Sequence, residues 1–361
     1  MAAALTVTHQ DDQQTRLEGK LRRELGEAIL RLLGEEDVED ILLNPDSSLW
    51  VKRRGAGFVP AGDMKPVTAA SALGTVAALR GTVLNHDHPI LETELPLDGS
   101  RFEGVVAPVV RQPVFAIRLR PRKVFTLDEY EAAGILTSKE DASNRVRQQQ
   151  DFALTVRGLP HAEIIRAAVR ERKNILVVGA TGSGKTTLLN AILDAITELT
   201  PFDRVISIED TTELQCRVPN YLDLRAVGNV TMLECLRASM RLKPTRIVVG
   251  EVRGAEAHTL LKAWNTGHPG GLGTVHANGA LLGLTRLESL VAEGTDAPQQ
   301  RLIAETVDLV IFVDPEPSLA AGRKVREMLL FTGWKEDITK SNRFETSTLM
   351  TFLRHKLSGS V

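Results

Sequence analysis

Cysteine is scarce in this chain, and the scarcity limits how its fold can be cross-linked. The sequence contains two cysteines, Cys216 and Cys235, with no metal-ligand spacing around them. Two isolated cysteines are typical of reduced thiols inside a cytoplasmic protein, whereas secreted domains held by disulfides carry more of them. We therefore expect two buried thiols and a reducing, cytoplasmic compartment.

Long apolar runs and an excess of charge are missing as well. No apolar segment approaches the ~20 residues that a membrane-spanning helix needs. The N-terminal stretch MAAALTVTHQDDQQ has neither the positive start nor the long apolar core of a secretory signal. The formal net charge of −2 argues against strong, non-specific capture of DNA. We expect a soluble protein, or at most one that partners hold at a membrane.

The chain is long enough for two domains, and its first part has the mixed pattern of a small α+β domain. Its 361 residues are 43% apolar, which is enough for a substantial core. Residues 16–33 carry leucines at helical spacing, and a hairpin is predicted around Asp98-Gly99. We predict an N-terminal α+β domain over residues 1–120, followed by a polar linker with one or two short helices over 121–158.

Residues 159–335 have a different pattern, in which short apolar strands alternate with helices. The strand segments are NILVVG, RVISIED, RIVVGEV, GTVHAN and VDLVIFVD. Alternation of helices with fully apolar strands predicts an α/β domain whose mostly parallel sheet is covered on both faces. The polar residues 336–361 are predicted to form a C-terminal tail.

A glycine-rich segment, GATGSGKT at residues 179–186, carries the strongest chemical signal. It fits the pattern G-x-x-x-x-G-K-[ST], follows an apolar strand and opens a helix, as that motif requires. Backbone N–H groups of such a loop surround phosphate oxygens, and the helix N-terminus adds positive potential. We predict ATP and Mg²⁺ as ligands, with Lys185 on the β- and γ-phosphates and the Thr186 hydroxyl on Mg²⁺. The predicted phosphate-loop contacts are Gly179, Ala180, Thr181, Gly182, Ser183, Gly184, Lys185, Thr186 and Thr187.

Carboxylates follow two of the predicted strands. ISIED ends in Glu209 and Asp210, with Glu213 just beyond, and RIVVGEVRG continues from its strand into Glu251. Because ligands gather at the carboxyl ends of parallel strands, these side chains are predicted to face the phosphates. Glu209 and Asp210 would coordinate metal-bound water or orient the attacking water, with Asp210 supporting the metal. A solvated loop or a helix N-cap is the alternative interpretation.

Glu251 is the candidate for the residue that orients and polarises the water attacking the γ-phosphate. The alternative for Glu251 is a surface ion pair with Arg253. A further segment, GHPGGLGTVHANG at residues 267–279, places His276 at a strand end beside a flexible loop. His276 is predicted to contact the γ-phosphate, against the alternative of an ordinary packing residue.

Taken together, GATGSGKTT, IEDTTEL, RIVVGEVRG and GTVHANG resemble the motor ATPases of type IV secretion and conjugative DNA transfer, relatives of the type II secretion and type IV pilus motors. In that family the segments are the Walker A loop, the Asp box, a Walker B motif without the usual aspartate, and the His box. ILETELPLDGSRFEGVVAPV and AIRLRPRKVFTLDEY extend the resemblance into the N-terminal half, so that it spans about residues 38–315. Within the family the chain is most similar to the Trb-type conjugal transfer ATPases.

The resemblance implies a RecA-like P-loop NTPase domain and a homohexameric ring at the cytoplasmic face of a bacterial inner membrane, in contact with secretion or conjugation proteins there. In this family ATP lies between the N-terminal and C-terminal domains, and hydrolysis rocks one against the other. By motif matching, Arg101 and Arg118 would reach the phosphates from the N-terminal side, Arg101 as a catalytic group. The family's RKP is RLRP at residues 118–121, which leaves open which arginine acts. Without the resemblance, a solvated hairpin charge is the alternative for Arg101.

The leading hypothesis is an ATPase that powers assembly of, or substrate transport by, a type IV secretion or conjugative DNA-transfer apparatus. Three alternatives stay open: a DNA-translocating RecA-like ATPase, a nucleotide-gated assembly scaffold, and a pilus or type II secretion motor. The near-neutral net charge disfavours the first of these. One basic run consists of Arg118, Arg120, Arg122 and Lys123. With little aromatic interleaving, it is interpreted as a solvated face of the linker, although direct contact with nucleic acid stays open.

Overall fold

The computed structural model describes residues 2–121, 124–136, 145–335 and 343–348, and the chain divides into two compact units. The N-terminal unit comprises Met1–Glu140 together with two short segments of the second half, Leu224–Thr231 and Arg241–Lys243. The remainder of the chain forms the C-terminal unit. Arg122 and Lys123 of the basic run lie outside the described residues.

The N-terminal unit is built on a six-stranded antiparallel sheet in the order β3-β2-β1-β6-β5-β4. Its helices are α1 (Ala2–Gly34), α2 (Pro66–Leu79) and α3 (Leu127–Ala132), and α1 is kinked at Gly26, where φ is 72°. Its strands are β1 (Val38–Leu43), β2 (Ser48–Arg53), β3 (Phe58–Asp63), β4 (Ile90–Glu94), β5 (Arg101–Val105) and β6 (Val114–Arg118).

The two faces of this sheet differ because side chains alternate along each strand. One face packs against α1 and α2 in a common core that includes Ile41, Phe102 and Phe115. The other face carries charged groups: Asp40 lies opposite Arg118, and Arg118 lies opposite Arg101. The alternation thus places both candidate arginines on the polar face of the sheet.

The short segment Arg241–Lys243 contributes ion pairs to the same polar face. Lys243 Nζ lies 3.4 Å from Oδ2 of the buried Asp40, and Arg241 pairs with Glu92. Glu103 is opposite Glu92 and is 3% exposed. Burial raises the pKa of Glu103 to about 8, because the charged form is poorly solvated there.

The C-terminal unit contains an eight-stranded sheet in the order β14-β13-β12-β7-β11-β10-β8-β9. The pairings that join β12, β7, β11, β10 and β8 are parallel, whereas β13 and β14 add antiparallel strands at one edge. Its strands are β7 (Ile175–Val178), β8 (Val205–Glu209), β9 (Tyr221–Arg225), β10 (Arg246–Val249), β11 (Leu272–Val275), β12 (Leu309–Pro315), β13 (Arg323–Lys335) and β14 (Arg343–Thr348). Its helices are α4 (Arg145–Thr155), α5 (His161–Arg170), α6 (Lys185–Leu199), α7 (Met232–Arg241), α8 (Glu256–Asn265), α9 (Ala280–Ala292) and α10 (Gln300–Thr306).

The five strands predicted for this half are present as β7, β8, β10, β11 and β12. They form the mostly parallel part of the sheet, which confirms the predicted α/β class. Sequence analysis missed β9, α10, β13 and β14, and β14 falls inside the segment predicted as a tail. The helix α4 lies in the predicted linker, yet Phe152 near its end is buried in the core of the C-terminal unit.

Both cysteines are free thiols. Cys235 on α7 is buried as predicted, whereas Cys216 is half-buried. Burial raises the pKa of Cys216 to about 11, so its thiol stays protonated and unreactive at neutral pH. Among the residues that the structure describes, no helix combines the length and the hydrophobicity of a membrane span.

A buried ion pair holds the start of β10. Arg246 is 1% exposed, and its Nε donates to Asp203 Oδ2 at 2.6 Å. Its other nitrogens donate to the carbonyl oxygens of Val169 at 2.8 Å and Gly270 at 3.1 Å. A buried guanidinium is tolerated because it is paired and hydrogen-bonded on all sides.

Replacing Asp203 with alanine should lower the free energy of unfolding by about 3 kcal/mol, because it leaves the Arg246 charge buried without its carboxylate. Urea unfolding followed by circular dichroism measures the change. The matched control is Asp194→Ala, which removes an exposed ion pair with Arg217 and should cost less than about 1 kcal/mol. Equal losses in the two variants would contradict the structural importance of the buried pair.

Candidate functional site

The glycine-rich loop between β7 and α6 has a backbone that only glycine accommodates at several positions. Gly182 and Gly184 have φ angles of 75° and 95°, in the left-handed region. At Gly179 an added Cβ would lie 2.3 Å from Ser183 Oγ and 2.4 Å from the carbonyl oxygen of Val313. The spacing of glycines in the motif therefore follows from the backbone path of the loop.

The same loop presents hydrogen-bond donors at the start of α6. The first N–H groups of a helix have no partner within the helix, and they carry the positive end of its dipole. Ser183, at the end of the loop, is 1% exposed, and its Oγ makes no hydrogen bond to any described residue. Together with the Lys185 ammonium, this donor set fits the phosphates of a nucleotide.

A cleft of about 540 Å³ opens over this loop. Its walls are the phosphate loop, the carboxyl ends of β8 and β10, the end of β11 and the residue that begins β13. Such a position, at the tips of parallel strands, is where α/β proteins bind ligands. Ten predicted site residues line it together: Thr181, Gly182, Gly184, Lys185, Thr186, Thr187, Glu209, Asp210, Glu251 and His276.

The histidine after β11 joins the phosphate loop to the glutamate after β10. His276 Nε2 lies 2.9 Å from Glu251 Oε1, and His276 Nδ1 lies 3.3 Å from Lys185 Nζ. The Lys185 ammonium can donate to Nδ1 when that nitrogen carries no proton, and the Glu251 carboxylate lies beside Nε2. Burial lowers the pKa of Lys185, and the Glu251 carboxylate opposes that shift.

Glu251 also forms the ion pair that was the alternative interpretation of this residue. Arg253 Nη2 donates to Glu251 Oε2 at 2.8 Å, and Arg253 Nη1 donates to Asp210 Oδ2 at 2.5 Å. The hydrogen bond to Glu251 raises the pKa of Arg253. Glu251 also lines the cleft, so its ion pair with Arg253 is compatible with its predicted role at the site.

Glu209 is turned towards its own loop. It is 5% exposed, and its Oε1 accepts from the N–H groups of Glu213 at 2.9 Å and Leu214 at 3.0 Å. Burial raises the pKa of this carboxyl, and the two backbone hydrogen bonds oppose the rise. Glu209 therefore shapes the loop that follows β8.

The carboxylate nearest to the predicted metal-binding hydroxyl belongs to Glu213. Thr186 Oγ1 donates to Glu213 Oε2 at 3.0 Å, whereas Asp210 is held by Arg253. Sequence analysis named Glu213 only as a neighbour of the motif. No group of three or more His, Cys, Asp or Glu side chains in the described part of the chain is arranged to hold an ion alone. Mg²⁺ commonly takes one or two protein ligands together with phosphates and water, so Thr186 and Glu213 fit it.

The two predicted arginines belong to the N-terminal unit. Arg101 begins β5 and Arg118 ends β6, where they face each other across neighbouring strands, and both are exposed. The cleft described above is lined by residues of the C-terminal unit. Contact of Arg101 or Arg118 with phosphates therefore stays a prediction.

One cleft residue was missed entirely by sequence analysis. Arg323, the first residue of β13, lines the cleft, and its Nη1 donates to Thr187 Oγ1 at 2.7 Å. The two residues are 136 positions apart in the chain. No local motif marks Arg323, because only the pairing of β13 with β12 brings it to the loop.

Comparisons with known proteins agree on one group. The family model described as type II/IV secretion system protein matches residues 24–316. The chain is 41% identical to the probable conjugal transfer protein TrbB of Sinorhizobium fredii over 314 residues, 87% of this chain and 89% of the relative. It is 40% identical to the conjugal transfer protein TrbB of Rhizobium radiobacter over 322 residues, 89% and 92% of the two chains.

A solved structure extends the similarity to the fold. The crystal structure of the VirB11 ATPase from the Brucella suis type IV secretion system, in complex with sulphate, superposes with a TM-score of 0.79. The two chains are 25% identical, and the match covers 88% of this chain and 96% of that one. The predicted RecA-like fold and the predicted resemblance are both confirmed.

Proposed function

The chain belongs to the type II/IV secretion system protein family, and from that premise we propose that it is a hexameric ATPase that powers a type IV secretion or conjugative DNA-transfer apparatus. Its similar relatives are conjugal transfer and type IV secretion proteins. One observation carries the proposal for this chain: Lys185, His276 and Glu251 lie in contact, in a row, in the cleft over the phosphate loop.

The cleft residues divide the work of binding and hydrolysis. The loop N–H groups and Lys185 hold the phosphates, and Thr186, with Glu213 beside it, would hold Mg²⁺. When bound, Mg²⁺ neutralises charge on the β- and γ-phosphates. Glu251 orients the attacking water and accepts its proton, and His276 Nε2 lies 2.9 Å from its carboxylate.

In this proposal Glu209 and Asp210 position other groups of the site. Glu209 holds the loop that presents Glu213, and Asp210 holds Arg253 next to Glu251. This differs from the expectation that Asp210 supports the metal, because the structure puts Glu213 against the Thr186 hydroxyl.

The family resemblance supplies the rest of the proposal. Arg101 and Arg118 are proposed to contact the nucleotide when the domains close, since a charge-assisted contact made only on closure would couple hydrolysis to motion. We propose the division into an N-terminal domain (1–120), a linker (121–158), an ATPase domain (159–335) and a tail (336–361), with α4 of the linker packed against the ATPase domain. The protein is proposed to work at the cytoplasmic face of a bacterial inner membrane with secretion or conjugation partners.

The purified chain should release phosphate from ATP only when Mg²⁺ is present and should assemble into a hexamer when nucleotide is added. A phosphate-release assay and light scattering coupled to size exclusion measure the two properties. Failure to hydrolyse ATP by folded protein would reject the proposal. Strong stimulation by single-stranded DNA that disappears as salt rises would instead favour a DNA-translocating ATPase.

A further inference from the structure

Arg323 lies directly against the glycine from which α6 begins. An added Cβ at Gly184 would be 2.4 Å from Arg323 Nη1 and 2.6 Å from its Cδ. Besides the hydrogen bond to Thr187, Arg323 Nε donates to the carbonyl oxygen of Ala321 at 3.1 Å. The absence of a side chain at Gly184 thus creates the space in which this guanidinium rests on the phosphate loop.

The charge of Arg323 is placed where the protein itself opposes it. The N-terminus of α6 is positive, and a cation there is disfavoured rather than stabilised. Lys185 adds a second positive group in the same cleft. Arg253, the other arginine of the cleft, is paired with Asp210 and Glu251, whereas no carboxylate of the described chain lies within 4.0 Å of Arg323. The surroundings of Arg323 therefore favour an anion as its partner.

The position of Thr187 shows from which side Arg323 approaches. Successive helix residues are about 100° apart, so Thr187 lies roughly 200° around the α6 axis from Lys185. Lys185 faces His276 and, through it, Glu251, which marks the end of the cleft where the γ-phosphate is attacked. Arg323 approaches from the opposite side of the helix and rests on Gly184 and Thr187. In this motif the backbone N–H groups of the loop cradle the α- and β-phosphates.

We propose that Arg323 is a nucleotide-binding residue, which contacts the α- and β-phosphates of a nucleotide held in the phosphate loop of its own subunit. The inference rests on the proposed function of the cleft. A guanidinium can donate two parallel hydrogen bonds to phosphate oxygens, and Thr187 holds it in register for that contact. Because ADP retains both phosphates, Arg323 strengthens the binding of product as much as that of substrate.

Calorimetric titration of Arg323→Gln with ADP and with a non-hydrolysable ATP analogue tests the inference. Loss of a charge-assisted contact should lower the affinity for both ligands by about ten-fold or more, and by similar factors. Arg323→Lys keeps the charge without the planar fork, so it should weaken both ligands by a smaller factor than Arg323→Gln. Thermal unfolding close to that of the unaltered protein shows that each variant is folded.

Arg326→Gln is the matched control. Arg326 lies on the same strand, but its Nη2 pairs with Glu316 at 2.9 Å and it does not line the cleft. Its replacement should leave both affinities unchanged. If the two variants weakened nucleotide binding equally, the effect of Arg323 would be explained by overall positive charge, and the inference would be overturned.

Two further outcomes would overturn the inference alone. One is unchanged binding by Arg323→Gln, and the other is weakening of the triphosphate analogue without weakening of ADP, which would put the contact on the γ-phosphate. Each is recognised as specific to Arg323 when the unaltered protein binds nucleotide and Lys185→Ala does not. If the unaltered protein binds neither ligand, the proposed function fails and the inference falls with it.

Discussion

Replacing Lys185 with alanine should abolish detectable ATP binding and, with it, hydrolysis. Lys185 is 8% exposed and directs its ammonium into the cleft, where it contacts the Ala180 carbonyl at 3.0 Å and His276. A cation in this partly desolvated position contributes more to phosphate binding than an exposed one. We expect affinity to fall by roughly a hundred-fold or more, measured by calorimetric titration with a non-hydrolysable ATP analogue.

The control for this variant is Lys262→Ala on α8. Lys262 is an exposed lysine that does not line the cleft, so its removal should leave affinity and turnover as they are. Retained ATP turnover by folded Lys185→Ala protein would contradict the assignment of the nucleotide site to the phosphate loop.

Changing Glu251 to glutamine should leave ATP bound but nearly unhydrolysed. Glutamine keeps the size of the side chain, yet it lacks the charge that polarises water and accepts its proton. We expect turnover to fall roughly a hundred- to ten-thousand-fold, with nucleotide affinity unchanged or increased. Filter binding of labelled ATP, together with single-turnover phosphate release, separates the two effects.

Glu198→Gln provides the comparison for Glu251, because Glu198 is an exposed glutamate near the far end of α6. It should behave as the unaltered protein in both assays. The two large predictions also separate the motor from a nucleotide-gated scaffold when DNA transfer or secretion is measured in cells. A scaffold would tolerate Glu251→Gln and fail with Lys185→Ala, whereas a motor fails with both.

The fold of the C-terminal unit was largely predictable because its signals are local. Apolar strands of four or five residues, separated by amphipathic helices, gave the positions of β7, β8 and β10 directly. The later strand β13 was missed because its first five residues are rich in charge and exposed or half-buried, with full burial beginning at Met328. Residues 224–231 and 241–243 join the N-terminal unit through contacts that no local pattern reports.

The candidate site was predictable to the same extent and for the same reason. Lys185, Glu251 and His276 follow separate strands, and parallel strands deliver such residues to one edge of the sheet. That rule places residues at an edge, but it does not say which atoms meet there. In the structure the Thr186 hydroxyl donates to Glu213, and Asp210 forms an ion pair with Arg253.

The phosphate loop, the parallel sheet and the family were all predictable from the residues alone, because each depends on a backbone requirement or a pattern spanning only a few neighbouring residues. Glycine at 179, 182 and 184 is such a requirement, since a side chain there would collide or force an unfavourable φ angle. The row from Lys185 through His276 to Glu251, and the position of Arg323 on the loop, became visible only in the folded chain. Those contacts join distant segments, and their geometry is set by strand pairing across the sheet, which no local pattern in the chain encodes.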